Sequence, residues 1–284
     1  MKKFFIFLLS IILAILLSAF LAPIFHQFLP FKFEKILNRL LMISAVVICF
    51  SFIQIDRNFL EVCGFSKHEH GIGRWVSGFL IAFLILSFLV WFESRVGALS
   101  FNSLFQWSFG LIISSLVTGL VVGIFEEFFF RGFVYLKLRS HISLWPTLLI
   151  TNLFYSAVHF LKGGKPYISE APTIFDSFRV LAASFQSFLA WHEFWPGFVG
   201  LFLFGLVLSF AFLRTRSLFL SMGLHSGAVF FLKLTNQWYQ VNSAYSGFIF
   251  GGRGFYSGLF GWLFIGLIGL FVYLVTFRSQ PDSR

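Results

Sequence analysis

The chain has 284 residues; 58% are hydrophobic and only 11% are charged, against roughly a quarter for an ordinary soluble domain. A single soluble core of this size could not bury so much apolar surface, so the composition excludes a water-soluble globular fold and makes lipid the solvent. The formal net charge of +10 comes from Lys and Arg scattered between apolar runs, which fits juxtamembrane anchoring and offers no basic stripe for nucleic acid.

Met1-Lys2-Lys3 followed by apolar residues 4–22 has the layout of a signal peptide. The run exceeds a typical signal core, and Pro23 follows the only small-residue site, so it reads as a retained first helix. With the first run taken as 4–25, further apolar runs lie near 40–55, 75–92, 107–130, 145–161, 198–213, 217–234 and 257–277. They predict an all-α polytopic membrane protein with about eight transmembrane helices, which, with the ionisable residues and the resemblance given below, are expected to enclose an intramembrane active-site cavity. Three parts follow: N-terminal helices over 1–106, a core over 107–235, and a loop with the last helix over 236–284. Cys49 and Cys63 form no CxxC pair and predict no disulfide framework. In the polar connection from Lys162 to Pro196, Phe178 to Trp191 has helical apolar spacing suited to the membrane interface. Lys and Arg slightly favour the inner segments when the N-terminus is cytoplasmic, so both termini are expected inside, with the plasma membrane as the location.

Ionisable residues inside spans are costly, about 2.5–3.5 kcal/mol each at the centre on insertion scales, and normally face a cavity or a partner. In the fourth span Glu127 and Arg131 stand four apart and can pair on one helix face. The same row continues back through Gly123, Gly119 and Ser115, a ridge of small residues open to close helix approach. Glu126 lies about 100° around the helix, without a partner in its own span, as a general base working near neutrality requires. The fifth span carries Asn152, Ser156 and His159 on one face, and the seventh carries Ser221, His225 and Ser226, with Lys233 at its far end. At 1.5 Å per residue Glu126 lies about 16 Å from Lys137, His159 about 21 Å from Trp145 and His225 about 13 Å from Arg216. One glutamate and two histidines are therefore expected to meet at a similar depth.

In order along the chain, Glu126-Glu127-Phe-Phe-Phe-Arg131, Tyr155-Ser-Ala-Val-His159 and Gly223-Leu-His225-Ser-Gly-Ala-Val229 resemble the motifs of the CPBP family of intramembrane proteases. That family includes the type II CAAX prenyl endopeptidases and bacteriocin-processing or immunity proteins; the resemblance covers roughly residues 110–235. It implies an endopeptidase acting on a membrane-associated protein or peptide. Glu126 would activate water, His159 and His225 would hold that water or the developing oxyanion, and Glu127 and Arg131 would orient the site. Two departures stand out: Tyr155 replaces the usual Phe, and Val229 stands where the family usually has Asn or Asp. Ser226 or Asn152 are the polar residues that could take that role.

Two histidines and a glutamate are also a catalytic zinc set, so metal stays open; a metal-free glutamate mechanism is favoured because no HExxH pair fixes zinc on one helix. His68-Glu69-His70 and His192-Glu193 read as solvated residues of connections. Two other classes compete with the protease. A transporter would use the intramembrane charges as an ion path, but no internal repeat or discontinuous helix is readable. A catalytically silent scaffold or immunity factor of the same family is the reading that Val229 favours.

Overall fold

The computed structural model describes residues 2–52, 61–63, 71–161, 166, 168–185, 189, 191–236, 238–252 and 254–277. In chain order the helices are α1 (Lys2–Phe28), α2 (Phe33–Phe52), α3 (Gly71–Val96) and α4 (Phe109–Glu127). A π-helix (Phe128–Tyr135) and the short α5 (Leu136–Arg139) continue α4, followed by α6 (Leu144–His159) and α7 (Ile174–Ser184). The rest are α8 (Trp191–Thr215), α9 (Leu218–Thr235), the one-turn α10 (Gly247–Phe250) and α11 (Leu259–Phe277). The only sheet among the described residues pairs β1 (Leu99–Phe101) antiparallel with β2 (Tyr239–Val241), with Ser100 opposite Gln240. Each of the eight apolar runs overlaps a helix, and among the described residues six helices are long and apolar enough to cross a membrane: within α1, α3, α4 with its continuation, α8, α9 and α11. The chain is an all-α polytopic membrane protein. The expected fifth span, α6, has 16 residues, about 24 Å of rise, shorter than the roughly 30 Å hydrocarbon core.

The residues form two compact units, Met1–Asp56 with Val158–Phe194, and Arg57–Ala157 with Trp195–Arg284. In the first, Ala22, Phe33, Ile36, Leu37 and Val180 make a core of α1, α2 and α7. Ser177 Oγ donates to the Ala19 carbonyl at 2.8 Å and ties α7 to α1. Helix α7 starts four residues before the expected interfacial stretch, because Thr173 and Asp176 form a capping box, and it ends at Ser184. Residues 186–188 and 190 of that stretch lie outside the described residues.

In the second unit α9 is the central helix, packed against both α3 and α4. Glycines set both approaches. A Cβ on Gly78 of α3 would lie 2.5 Å from the Leu220 carbonyl oxygen, and Cβ atoms on Gly223 and Gly227 of α9 would fall on the carbonyls of Trp75 and Phe79. On α4 the buried residues are Ser115, Gly119, Gly123 and Glu127, the ridge read from the sequence. A Cβ on Gly119 would stand 2.6 Å from the Ser226 carbonyl oxygen, so backbones meet where side chains would keep them apart. Ser108 starts α4 by accepting the Leu111 N–H at 3.1 Å, and Ser217 caps α9 after Arg216, whose φ of 48° makes the sharp reversal from α8.

The outer face of α3 is the stripe Ile72, Val76, Leu80, Leu84, Phe88 and Trp91, all exposed. Its inner face buries Gly78, Ala82, Leu86, Leu89 and Glu93. An exposed row of that kind is stable only where the solvent is itself apolar.

Candidate active site

Four of the five residues singled out from the sequence come together where α4, the π-helix and α9 meet. Glu127 and Arg131 are both fully buried, and Arg131 Nη1 donates to Glu127 Oε1 at 2.8 Å. The expected i, i+4 pair is formed, but Arg131 sits in a π-helix rather than in continuous α-helix. The wider turn buries Phe130, Arg131, Gly132 and Tyr135 together, and π-turns recur at functional sites. The cost of a buried guanidinium is offset in part by further hydrogen bonds: Nη2 also donates to the Gly205 carbonyl at 2.8 Å and to Asn152 Oδ1 at 3.2 Å. The Tyr155 ring covers it, 4.9 Å from Cζ to the ring centre.

His225, only 2% exposed, faces both glutamates. Its Nδ1 lies 2.9 Å from Glu127 Oε1 and its Nε2 lies 3.7 Å from Glu126 Oε2. A carboxylate paired with Arg131 only accepts, so Nδ1 is the donor in that contact, and Nε2 is turned toward Glu126. The ring is held edge-on between Tyr155 and Phe204, at 6.0 and 5.9 Å between centroids. Glu126 has its partner on another helix, as its place on α4 implied, and its side chain is 32% exposed, so it alone of the four is open to an incoming group. Among the described residues, Glu127 Oε2, Arg131 Nε and Ser226 Oγ are buried without a hydrogen bond.

His159 closes α6 and belongs to the other compact unit, so its expected meeting with Glu126 and His225 rests on the sequence resemblance. Asn152 and Ser156, on the same helix, are buried: Asn152 is bound to Arg131, and Ser156 Oγ donates to the Phe198 carbonyl at 2.6 Å. Ser221 Oγ is taken by the Leu218 carbonyl, and Lys233 binds the Ser114 carbonyl and the Thr118 hydroxyl of α4. The sequence motifs include neither Gly205 nor Ser209, although their four-residue spacing makes one small-residue face of α8. His192 and Glu193 are exposed, 3.6 Å apart, and stand in the first turn of α8 rather than in a connection. His68-Glu69-His70 lies outside the described residues.

Among the described residues no three His, Cys, Asp or Glu side chains are arranged to hold a metal ion. A small pocket lined by Glu93, Phe231, Tyr239, Phe255 and Ser257, among others, contains none of the four site residues.

The fold and the site define a polytopic membrane protein with a buried histidine set between two glutamates, one of them locked by an arginine. Residues 106–231, from just before α4 into α9, match the model of the family "Type II CAAX prenyl endopeptidase Rce1-like". The match supports the resemblance of this segment to the CAAX-type CPBP intramembrane proteases. Comparison with curated proteins matched nothing, and neither did comparison with solved structures.

Proposed function

We propose that the chain is an intramembrane endopeptidase that hydrolyses a peptide bond of a membrane-associated protein or peptide through a water activated by Glu126. The observation that supports this best is the split environment of the two glutamates. Glu127 is fully buried and held by Arg131 and His225, whereas Glu126 is partly exposed and faces Nε2 of the same ring. One carboxylate then serves as the fixed support and the other as the base. Glu126 takes a proton from water, the oxygen attacks the scissile carbonyl carbon, and the tetrahedral oxyanion forms. As that intermediate collapses the C–N bond breaks, and the proton held by Glu126 passes to the leaving amine. His225 positions the water beside Glu126, a role that the approach of its Nε2 to Glu126 Oε2 supports. His159 is assigned the oxyanion by family resemblance.

The family's name points to the substrate class, a peptide with a prenylated cysteine near its carboxyl terminus. The test is the purified full-length protein in liposomes with such a peptide, the product being read by mass. A truncated product carrying the prenyl group is expected. The second reading, a catalytically silent member, is favoured by Val229, which puts an apolar side chain one turn after His225. It gains if neither this peptide nor co-expressed membrane proteins are cut.

A further inference from the structure

The buried contacts that orient His225 do not end at Arg131. Asn152 Oδ1 accepts from Arg131 Nη2 at 3.2 Å, and Asn152 Nδ2 donates to the Leu148 carbonyl at 2.8 Å. Ser209 Oγ stands 3.2 Å from both the nitrogen and the oxygen of the same amide. Asn152, Arg131 and Glu127 have no exposed surface, and Ser209 has 1%. The side chain has been given room: a Cβ on Gly205 would lie 2.6 Å from Asn152 Oδ1. A guanidinium carries donors only, so Arg131 obliges Asn152 to turn its oxygen inward, and the Leu148 carbonyl fixes the nitrogen on the other side. Three helices thereby converge on one guanidinium, α6 through Asn152, α8 through the Gly205 carbonyl, and α4 through Glu127.

We propose that Asn152 is a positioning residue of the site: it fixes the Arg131 guanidinium, and through Arg131 and Glu127 it fixes the proton on His225 Nδ1. With Arg131 locked, Glu127 stays an acceptor in a fixed orientation, Nδ1 keeps its hydrogen, and Nε2 is held ready beside Glu126. Without the Asn152 oxygen, Nη2 retains only the Gly205 carbonyl, and the guanidinium can turn away from Glu127. The imidazole then loses the acceptor that selects one tautomer. The effect on turnover rests on Glu126 acting as the base; the effect on the imidazole does not.

The experiment uses full-length protein with ¹⁵N-labelled histidine in lipid nanodiscs, at a pH where the ring is neutral, with His225→Gln to assign the signal. Wild type is expected to show His225 as a single Nδ1–H tautomer. Asn152→Leu is expected to give a mixture of both tautomers, and Asn152→Asp, which keeps an oxygen toward Arg131, to restore the single form. On the prenylated peptide, Asn152→Leu is expected to lower kcat about tenfold with KM unchanged, the loss typical of one charge-assisted hydrogen bond. A wild-type His225 signal in Asn152→Leu overturns the proposal whatever the activity. If that variant does not accumulate, Ser209→Ala loosens the same amide, and an unchanged His225 signal there overturns it equally. A tautomer change in a protein that cleaves nothing supports the positioning role and defeats the endopeptidase reading.

Discussion

Arg131 and Glu127 lie 2.8 Å apart with no solvent contact, so removing either leaves a charge stranded in a medium that cannot solvate it. Arg131→Ala is therefore expected to destabilise the protein by about 3–5 kcal/mol, the usual cost of breaking a buried pair, and to reduce accumulation in the membrane. Glu126→Gln should leave thermal unfolding in detergent close to wild type, because its side chain is partly exposed and the substitution conserves volume. The pair was legible because opposite charges four apart in an apolar run offset their desolvation by meeting on one helix face. Its surroundings were not. Gly205 contributes a backbone carbonyl, and Ser209 binds Asn152 across 57 positions, so neither leaves a local signature. Asn152 was visible as a polar residue on the face of His159, but its service to Arg131 was not.

At the scale of elements, the ridge Ser115, Gly119, Gly123 is readable from its period alone, and its two glycines pack against Ser226 and Phe230 of α9. The face of α9 toward α3 depends more on glycine. Gly223→Val would drive a branched side chain into the Trp75 backbone, which cannot move as a side-chain end would. Overpacking of about 1–3 kcal/mol is the least to expect, read as a lower melting temperature, while Gly73→Ala, with open space around it, should melt as wild type does. The π-helix could not be read, since hydrophobic period distinguishes it poorly from an α-helix over two turns. Helix α7 offers a separate test. The Thr173 backbone N–H, and also its hydroxyl, donate to Asp176 Oδ2 at 2.8 and 2.9 Å and hold that carboxyl below the usual carboxylate range. A folded-state value below the unfolded one stabilises α7 above the ordinary carboxylate range, and this is lost as pH falls through the depressed value. Hydrogen exchange of the α7 amides should be slower in wild type than in Asp176→Asn at neutral pH, and the difference should vanish in acid.

For the whole molecule, composition decided the solvent and the apolar runs decided the helices, because an 11% charge content leaves little else to decide. The small sheet is not legible in the sequence because strands of three residues have no measurable alternation, and its pairing joins positions more than a hundred residues apart. The depth estimate brought Glu126 and His225 to one level, and they do meet; it placed His159 there as well, and that rests on the motif. The most direct test of the account is peptide cleavage by Glu126→Gln, in liposomes and on the prenylated peptide, with and without metal chelation. Glutamine keeps the size of the side chain and its capacity to hydrogen-bond, but it cannot take a proton from water. Loss of cleavage by at least about 10²-fold, with normal insertion and with wild-type activity that survives chelation, is the predicted result. Cleavage by the glutamine variant at the wild-type rate would contradict it.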